Sequence, residues 1–177
     1  MKRRALVIGL VLLAAVVALS VLLLTRQPYS ATSIPSPLLG RVAPEVSGVS
    51  IDGGGSFSLR AERGRVVVLD FWASWCQPCQ AEAPNLSTVA WQTRHQGVVV
   101  EGVVFNDSLA AARSFDAHYG SLYRSLADPA GSFANAYGVT SPPTTFVIAP
   151  SGRVGAVLLG PASVAQLNAA INRVRSA

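Results

Sequence analysis

The sequence predicts an α/β domain in which a central β-sheet carries helices on both faces. Two mostly apolar runs, Val66–Trp72 and residues 98–105, each with a single acid, are typical of strands that are buried on both faces. Each run is followed by a stretch with the apolar periodicity of a helix, and a hairpin and a last helix end the chain. Strands that alternate with helices in this way form a sheet that is covered on both sides.

Residues 1–25 predict a basic cluster and a membrane anchor. Lys2, Arg3 and Arg4 precede a stretch without charge over residues 5–24. About twenty helical residues span roughly 30 Å, the thickness of the hydrocarbon core. Because basic flanks stay in the cytoplasm, we expect a single-pass cell-membrane protein with a cytoplasmic N-terminus and an extracytoplasmic catalytic domain.

A cleaved signal peptide is the alternative interpretation of this segment. Its apolar region would be about 7–15 residues long and would end at an Ala-x-Ala-like site. The apolar stretch here is longer, and Tyr29-Ser30-Ala31 resembles such a site only weakly. The sequence therefore favours an uncleaved signal anchor.

Residues 26–39 are rich in Pro, Ser and Thr, which predicts a semi-extended linker to a folded domain over residues 40–177. The net charge of +5 comes mainly from four cations around the anchor, because residues 27–177 carry ten arginines against nine acids. No basic run interleaved with aromatic residues occurs in this outer part. We therefore expect no nucleic-acid partner.

Turn residues and periodicity place the remaining elements. Ser108 predicts a helix N-cap, with Leu109, Ala112 and Phe115 facing inward. The other predicted elements are short strands at 46–51 and 56–59, a helix after residue 79 that ends before Gly97, a helix through residue 119, a short helix at 132–137, a hairpin of strands at 144–149 and 154–159, and a last helix at 162–174.

Both cysteines of the chain lie in one tetrapeptide, Cys76-Gln77-Pro78-Cys79. A disulfide across so short a loop removes little chain entropy, so it contributes little to stability. At a helix N-terminus, however, the dipole and the free N–H groups favour a thiolate on the first sulfur. The pair predicts a thiol-disulfide oxidoreductase without a cofactor, in which Cys76 attacks and Cys79, one turn deeper, resolves the mixed disulfide.

Half of a zinc site is the alternative for this cysteine pair. Zinc would need two more ligands, for which only His95 and His118 are available. Their separation matches none of the usual His-x₃₋₅-His spacings, so we expect no metal.

Residues 68–79 resemble the active-site stretch of the thioredoxin superfamily. Three further stretches, at 40–44, at 127–129 leading to 136–139, and at 143–148, are similar to the membrane-anchored TlpA/ResA-like group. The resemblance extends from about residue 40 to residue 175. It implies a thioredoxin-like fold with a central mixed β-sheet and a thiol-disulfide oxidoreductase activity.

Two acids are candidates for tuning the cysteines. Asp70 ends a strand of valines and leucines, where we expect desolvation and a raised pKa. The resemblance places it at the buried acid of thioredoxin, which exchanges protons with the second cysteine, although many TlpA/ResA-like proteins carry another residue there. Glu82 lies one turn after Cys79 on the same helix face, where the resemblance implies an effect on cysteine titration. The alternatives are a surface acid at Asp70 and a solvated helix carboxylate at Glu82.

Pro143 matches the cis-proline that faces the disulfide in the resembled family. The residue before it in that family pairs through its backbone with the bound partner. Pro142 stands there and has no N–H, so only its carbonyl can pair. Trp75 is expected to cover the thiols and to contact substrate, whereas Trp72 fits both the core and the site.

The resemblance favours a reductase that acts on a narrow set of client proteins, with apocytochrome c as the leading candidate during cytochrome c maturation. Such a reductase would take electrons from a thiol-reducing membrane protein. An oxidant that inserts disulfides into secreted proteins is the alternative. A copper-handling module of the same fold is a third possibility, although the longer cysteine spacing and the nearby histidine typical of it are not visible. A peroxidase would have Thr or Ser where Ala73 stands.

Overall fold

The computed structural model of the chain describes residues 2–24 and 30–176. Residues 26–29 of the predicted linker lie outside this described part. The elements are α1 (Lys2–Leu24), β1 (Thr32–Ser33), β2 (Ser47–Val49), β3 (Ser56–Ser58), a 3₁₀ turn (Leu59–Glu62), β4 (Val66–Trp72), α2 (Gln77–Thr93), β5 (Val98–Val104), α3 (Leu109–Tyr119), β6 (Arg124–Ala127), α4 (Ser132–Tyr137), β7 (Thr144–Ile148), β8 (Val154–Leu159) and α5 (Val164–Arg175).

Helix α1 covers the segment for which the sequence predicts an anchor. Among the described residues, the structure has no helix that is both long enough and apolar enough to cross a membrane. The transmembrane helix therefore stays a prediction.

A six-stranded mixed sheet forms the centre of the domain, in the order β1-β8-β7-β4-β5-β6. Strand β4 pairs in parallel with β5 and antiparallel with β7, and every one of its residues is buried. This confirms the strand that the continuous apolar run predicts. Strands β2 and β3 form a separate antiparallel hairpin.

Helices cover both faces of the sheet, as predicted. On one face, Val66 and Val68 of β4 belong to a cluster with apolar residues of α2 and α5. On the other face, Leu69 and Phe71 belong to a cluster with Tyr137 of α4 and with Phe57 of β3. Side chains alternate along a strand, so neighbouring residues of β4 face different clusters.

The folded domain begins before residue 40, which the sequence analysis places at its start. Thr32 and Ser33 pair with Leu159 and Leu158 at the edge of the sheet. The Ala31 N–H donates to the Pro161 carbonyl at 2.9 Å. A strand that pairs through its backbone with the open edge of a sheet needs no apolar run of its own. The composition of residues 26–39 therefore suggests a linker, although part of this stretch pairs with the sheet.

Two other features differ from the sequence analysis. Strand β6 was not predicted, because its four residues mix exposed Arg124 with buried Ser125 and Leu126 and show no apolar run. Leu109 does not face inward: it is exposed in the first turn of α3, whereas Ala112 and Phe115 are buried as predicted. The N-cap at Ser108 is confirmed, since its side chain accepts a hydrogen bond from the Ala111 N–H.

Candidate active site

The two cysteines lie where β4 leads into α2, and they form a disulfide with a Cα–Cα distance of 5.3 Å. Cys76 is the N-cap of α2, and its Sγ accepts a hydrogen bond from the Cys79 N–H at 3.2 Å. Pro78 occupies the first turn, where its missing N–H leaves no helical bond unmade. The first sulfur therefore lies at the positive end of the helix dipole, which favours its thiolate after reduction.

Asp70 lies on the central strand β4 and is only 1% exposed. Its Oδ1 accepts a hydrogen bond from the Thr145 hydroxyl at 3.0 Å. Loss of hydration raises the pKa of Asp70 to about 7, and the Thr145 hydrogen bond opposes that rise. The surface-acid alternative does not hold, and the role of Asp70 in proton exchange stays a prediction.

Glu82 is also buried, on the face of α2 that carries Cys79. Its Oε1 accepts a hydrogen bond from the Ala162 N–H at 2.8 Å and lies 3.4 Å from the Thr145 hydroxyl. Burial and, secondarily, the charge of Asp70 raise the pKa of Glu82 well above its ordinary value. A solvated helix carboxylate is therefore excluded at this position.

Thr145 joins the two acids and is the residue that sequence reasoning missed. It follows the proline pair on β7 and stands directly opposite Asp70 in the strand register. Its hydroxyl is within 3.4 Å of both carboxyl groups, and its side chain is fully buried. Strand pairing between β4 and β7 cannot be deduced from local sequence, so nothing in the sequence around Thr145 indicates that it faces Asp70.

The Pro142–Pro143 peptide bond is cis, as the resemblance implies. Pro143 is buried, and its carbonyl accepts a hydrogen bond from the Gly160 N–H at 3.0 Å. Pro142 is half-buried, and having no N–H it presents only a carbonyl to a partner strand. Its contact with a client stays a prediction.

The two tryptophans take different positions. Trp72 is buried in one apolar cluster with both cysteines, and its indole N–H donates to the Ser125 hydroxyl at 3.0 Å. Trp75 is 57% exposed, and its indole N–H donates to the Asn106 carbonyl at 3.1 Å. Trp72 thus belongs to the core beneath the disulfide, and Trp75 presents an apolar ring to solvent beside Cys76.

Asp107 is a second residue that the sequence analysis left out. Its two carboxylate oxygens accept hydrogen bonds from the Ser74 N–H and the Ser108 N–H, both at 2.7 Å. One side chain therefore ties the loop before Cys76 to the start of α3. The Asn-Asp-Ser order after β5 is a turn signal that could have indicated it.

Comparison with known proteins agrees with this geometry. The family model described as the AhpC/TSA family matches residues 39–157. The chain is 39% identical over 126 residues to a thiol:disulfide interchange protein DsbE homolog of Paracoccus denitrificans, in an alignment that covers 69% of this chain and 66% of that protein. It is 34% identical to the thiol:disulfide interchange protein HelX of Rhodobacter capsulatus, with 76% of each chain covered.

Solved structures show the same fold. A thiol:disulfide interchange protein of the thioredoxin family from Chlorobium tepidum superposes with a TM-score of 0.69 at 28% identity, covering 81% of this chain and 99% of that one. A DsbF homologue from Corynebacterium diphtheriae gives a TM-score of 0.68 at 25% identity, covering 84% of this chain and 95% of that one.

Proposed function

The chain belongs to the AhpC/TSA family of thioredoxin-fold proteins and is a thiol-disulfide oxidoreductase, and from that premise we propose that it reduces disulfides of client proteins outside the cytoplasm. The observation that carries the proposal is the Cys76–Cys79 disulfide at the N-terminus of α2, with two buried carboxyl groups on the same side of the sheet. A scaffold disulfide would need neither the helix dipole nor the acids.

The proposed reaction moves two electrons from the protein to the client. In the reduced protein, the Cys76 thiolate attacks a client disulfide, and one client sulfur leaves as a thiolate that takes a proton from water. Cys79 then loses its proton to a nearby base and attacks the Cys76 sulfur. The second client sulfur leaves and is protonated, and the protein ends as the Cys76–Cys79 disulfide.

The resemblance to the TlpA/ResA-like group supports apocytochrome c as the client, and a disulfide client fits the thiol:disulfide interchange protein HelX among the relatives. The exposed ring of Trp75 and the carbonyl of Pro142 would contact the client strand. Each turnover leaves the protein oxidised, so this role also requires a membrane protein that supplies reducing thiols.

Membrane attachment through the first 25 residues is part of the proposal. It rests on the basic cluster and on the uncharged apolar stretch after it, whose side chains around Val11 are more than half exposed in α1. Membranes from cells that make the full chain test it directly: we expect the protein to stay in the pellet after alkaline carbonate and to dissolve only in detergent. Release by carbonate would contradict the anchor and leave the redox role intact.

The reduction potential of the Cys76–Cys79 couple tests the direction of the reaction. The full chain in detergent would be equilibrated with dithiol and disulfide buffers of known potential. Reducing thioredoxins lie near about −270 mV and strong periplasmic oxidants near about −120 mV. A value at or below the former supports the reductase, and a value near the latter would establish the alternative, an oxidant that inserts disulfides into secreted proteins.

A further inference from the structure

Asp70 and Glu82 compete for a single hydroxyl group. The Thr145 Oγ1 lies 3.0 Å from Asp70 Oδ1 and 3.4 Å from Glu82 Oε1. A hydroxyl has one hydrogen to donate and two lone pairs that accept. It can therefore donate to one carboxylate and at the same moment accept from the other group, but only if that other group is a protonated carboxyl.

The surroundings oppose two negative charges at this place. Both acids are 1% exposed, and no arginine among the described residues contributes to the pKa shift of either one. Another titratable group nearby is the buried Tyr123, whose own pKa is raised by burial and by the charges of these acids and of Asp116. The two cysteines at the start of α2 form the disulfide and so do not titrate in the oxidised protein. Strand β7 and the segment before α5 bring only the Thr145 hydroxyl and the Ala162 N–H.

One further oxygen fits this arrangement. Glu82 Oε2 is buried and has no hydrogen-bond partner among the described residues. An ionised Glu82 would leave that oxygen unsolvated, which is costly, whereas a neutral carboxyl tolerates it better. The Ala162 N–H, in contrast, favours the charged form through Oε1. Because these effects oppose each other, neither carboxyl group is expected to be the one that is always protonated.

We propose that Asp70 and Glu82 hold one proton between them near neutral pH, and that Thr145 is the positioning residue that stabilises this singly protonated pair. In one form, protonated Asp70 donates to the Thr145 oxygen, whose hydrogen is donated to the Glu82 carboxylate. In the other form, both hydrogens have moved one oxygen along. One O–H bond breaks and one forms at the Thr145 oxygen, so the pair keeps a single negative charge throughout.

This inference deepens the proposed function and rests on it for its use. The ionised member of the pair is the base that can accept the proton which Cys79 loses in the resolving step. Because Thr145 spreads that role over two carboxyl groups, the pair can take up or return a proton without two adjacent charges ever forming.

Carbon-13 chemical shifts of the carboxyl groups test the proposal without any measurement of activity. The oxidised full chain would be titrated from pH 4 to pH 10. In the wild-type protein we expect two separated steps, each of them visible at both Asp70 and Glu82, as in any strongly coupled pair. A single independent step at each acid would overturn the proposal, and this result needs no variant.

Thr145→Val and Thr145→Ser then isolate the hydroxyl. The valine variant keeps the shape but removes the donor, so we expect its lower step to move up by about one pH unit, a tenfold change in proton affinity that corresponds to one hydrogen bond to a charged group. The serine variant should titrate like the wild type. An unmoved step in Thr145→Val, or an equal shift in both variants, would refute the role of the hydroxyl.

The activity of the wild-type protein is measured separately, as reduction of a model protein disulfide. If the two coupled steps are present but exchange is absent, the proposed function fails and the shared proton stands. If exchange is present but the two steps are uncoupled, the shared proton is refuted and the proposed function stands.

Discussion

Two buried acids on neighbouring strands, Asp70 of β4 and Glu101 of β5, lie on opposite faces of the sheet and differ in their hydrogen-bond partners. On the α2 face, Asp70 and Glu82 share the Thr145 hydroxyl. On the other face, Glu101 of β5 is equally buried, and neither of its oxygens has a hydrogen-bond partner among the described residues. Burial raises the pKa of Glu101 to about 8, against the opposing charge of Arg124. Burial alone therefore raises the pKa of an acid, whereas hydrogen-bond partners are also needed for the acid to exchange its proton with neighbouring groups.

Asp70→Asn tests that contrast with the largest expected effect. Loss of a positioned general base costs about 100-fold in rate, so disulfide exchange at pH 7 should slow by that order. The inflection that the coupled pair places near pH 7 should also change in the pH–rate profile, because Glu82 then titrates without the charge of Asp70. Rates of reduction of a model protein disulfide between pH 5 and pH 9 measure both.

Glu101→Gln is the matched control for this experiment. It also neutralises one buried carboxyl group of the same sheet, on the face away from the disulfide. We expect its exchange rate to match that of the wild type, because the Glu101 carboxyl group touches no step of the proposed reaction. An equal loss of rate in both variants would remove the distinction between the two faces.

Glu101 should have little effect on the exchange rate, but it should affect how the free energy of unfolding depends on pH. The folded state keeps the Glu101 proton up to about pH 8, whereas the unfolded carboxyl releases it near 4.5. Stability is therefore lost as pH rises between these values, by up to about 1.4 kcal/mol per pH unit for one proton.

Glu101→Gln should lose less free energy of unfolding between pH 5 and pH 8 than the wild type does, as measured by urea denaturation. A residual loss of the same sign is expected from Asp70 and Glu82, because burial raises their pKa values too. An unchanged loss in the variant would show that Glu101 is not the group that titrates.

The smallest expected effects are those of two glycine-to-alanine substitutions on the free energy of unfolding. Comparing the two variants shows how tightly each face of the sheet is packed. A Cβ on Gly102 would overlap the Ser125 hydroxyl and lie 2.6 Å from Trp72 Nε1, on the Asp70 face. A Cβ on Gly48 of β2 would meet only Leu126 Cδ2, at 3.8 Å. Overpacking costs about 1–3 kcal/mol, so Gly102→Ala should be destabilised by that amount in urea denaturation.

Gly48→Ala should stay within about 0.5 kcal/mol of the wild type, as is usual for substitutions that create no clash. Equal destabilisation of both variants would mean that the space around Gly102, next to Trp72 and Ser125, is not more tightly packed than the space around Gly48.

The sequence predicts those parts of the fold that depend on local pattern. The continuous valine and leucine run predicts β4 to the residue, and the cysteine spacing indicates the redox centre. Strands β1 and β6 escape prediction because backbone pairing with a neighbour holds them, not an apolar run. Thr145 escapes for a related reason: its partners are 75 and 63 residues away in the chain.

Glu101 shows a further limit of prediction from sequence, which concerns the face of the sheet that a residue occupies. It lies in the middle of an apolar run, and a strand prediction accepts one charged residue there without saying which face it occupies. Only the register, in which Glu101 stands opposite Leu69 and Gly102 opposite Asp70, assigns it to the face away from the disulfide. Registers arise from pairing across the sheet, which no single strand encodes.

Trapping of mixed disulfides tests the central claim, that Cys76 attacks and Cys79 resolves, most directly. Cys79→Ser and Cys76→Ser forms of the full chain would be reduced, mixed with a model protein that contains a disulfide, quenched with acid and separated without reductant. We predict a covalent adduct with Cys79→Ser that added thiol releases, and none with Cys76→Ser, although each variant keeps one thiol. Equal adducts with both variants, or an adduct with Cys76→Ser alone, would contradict the assignment.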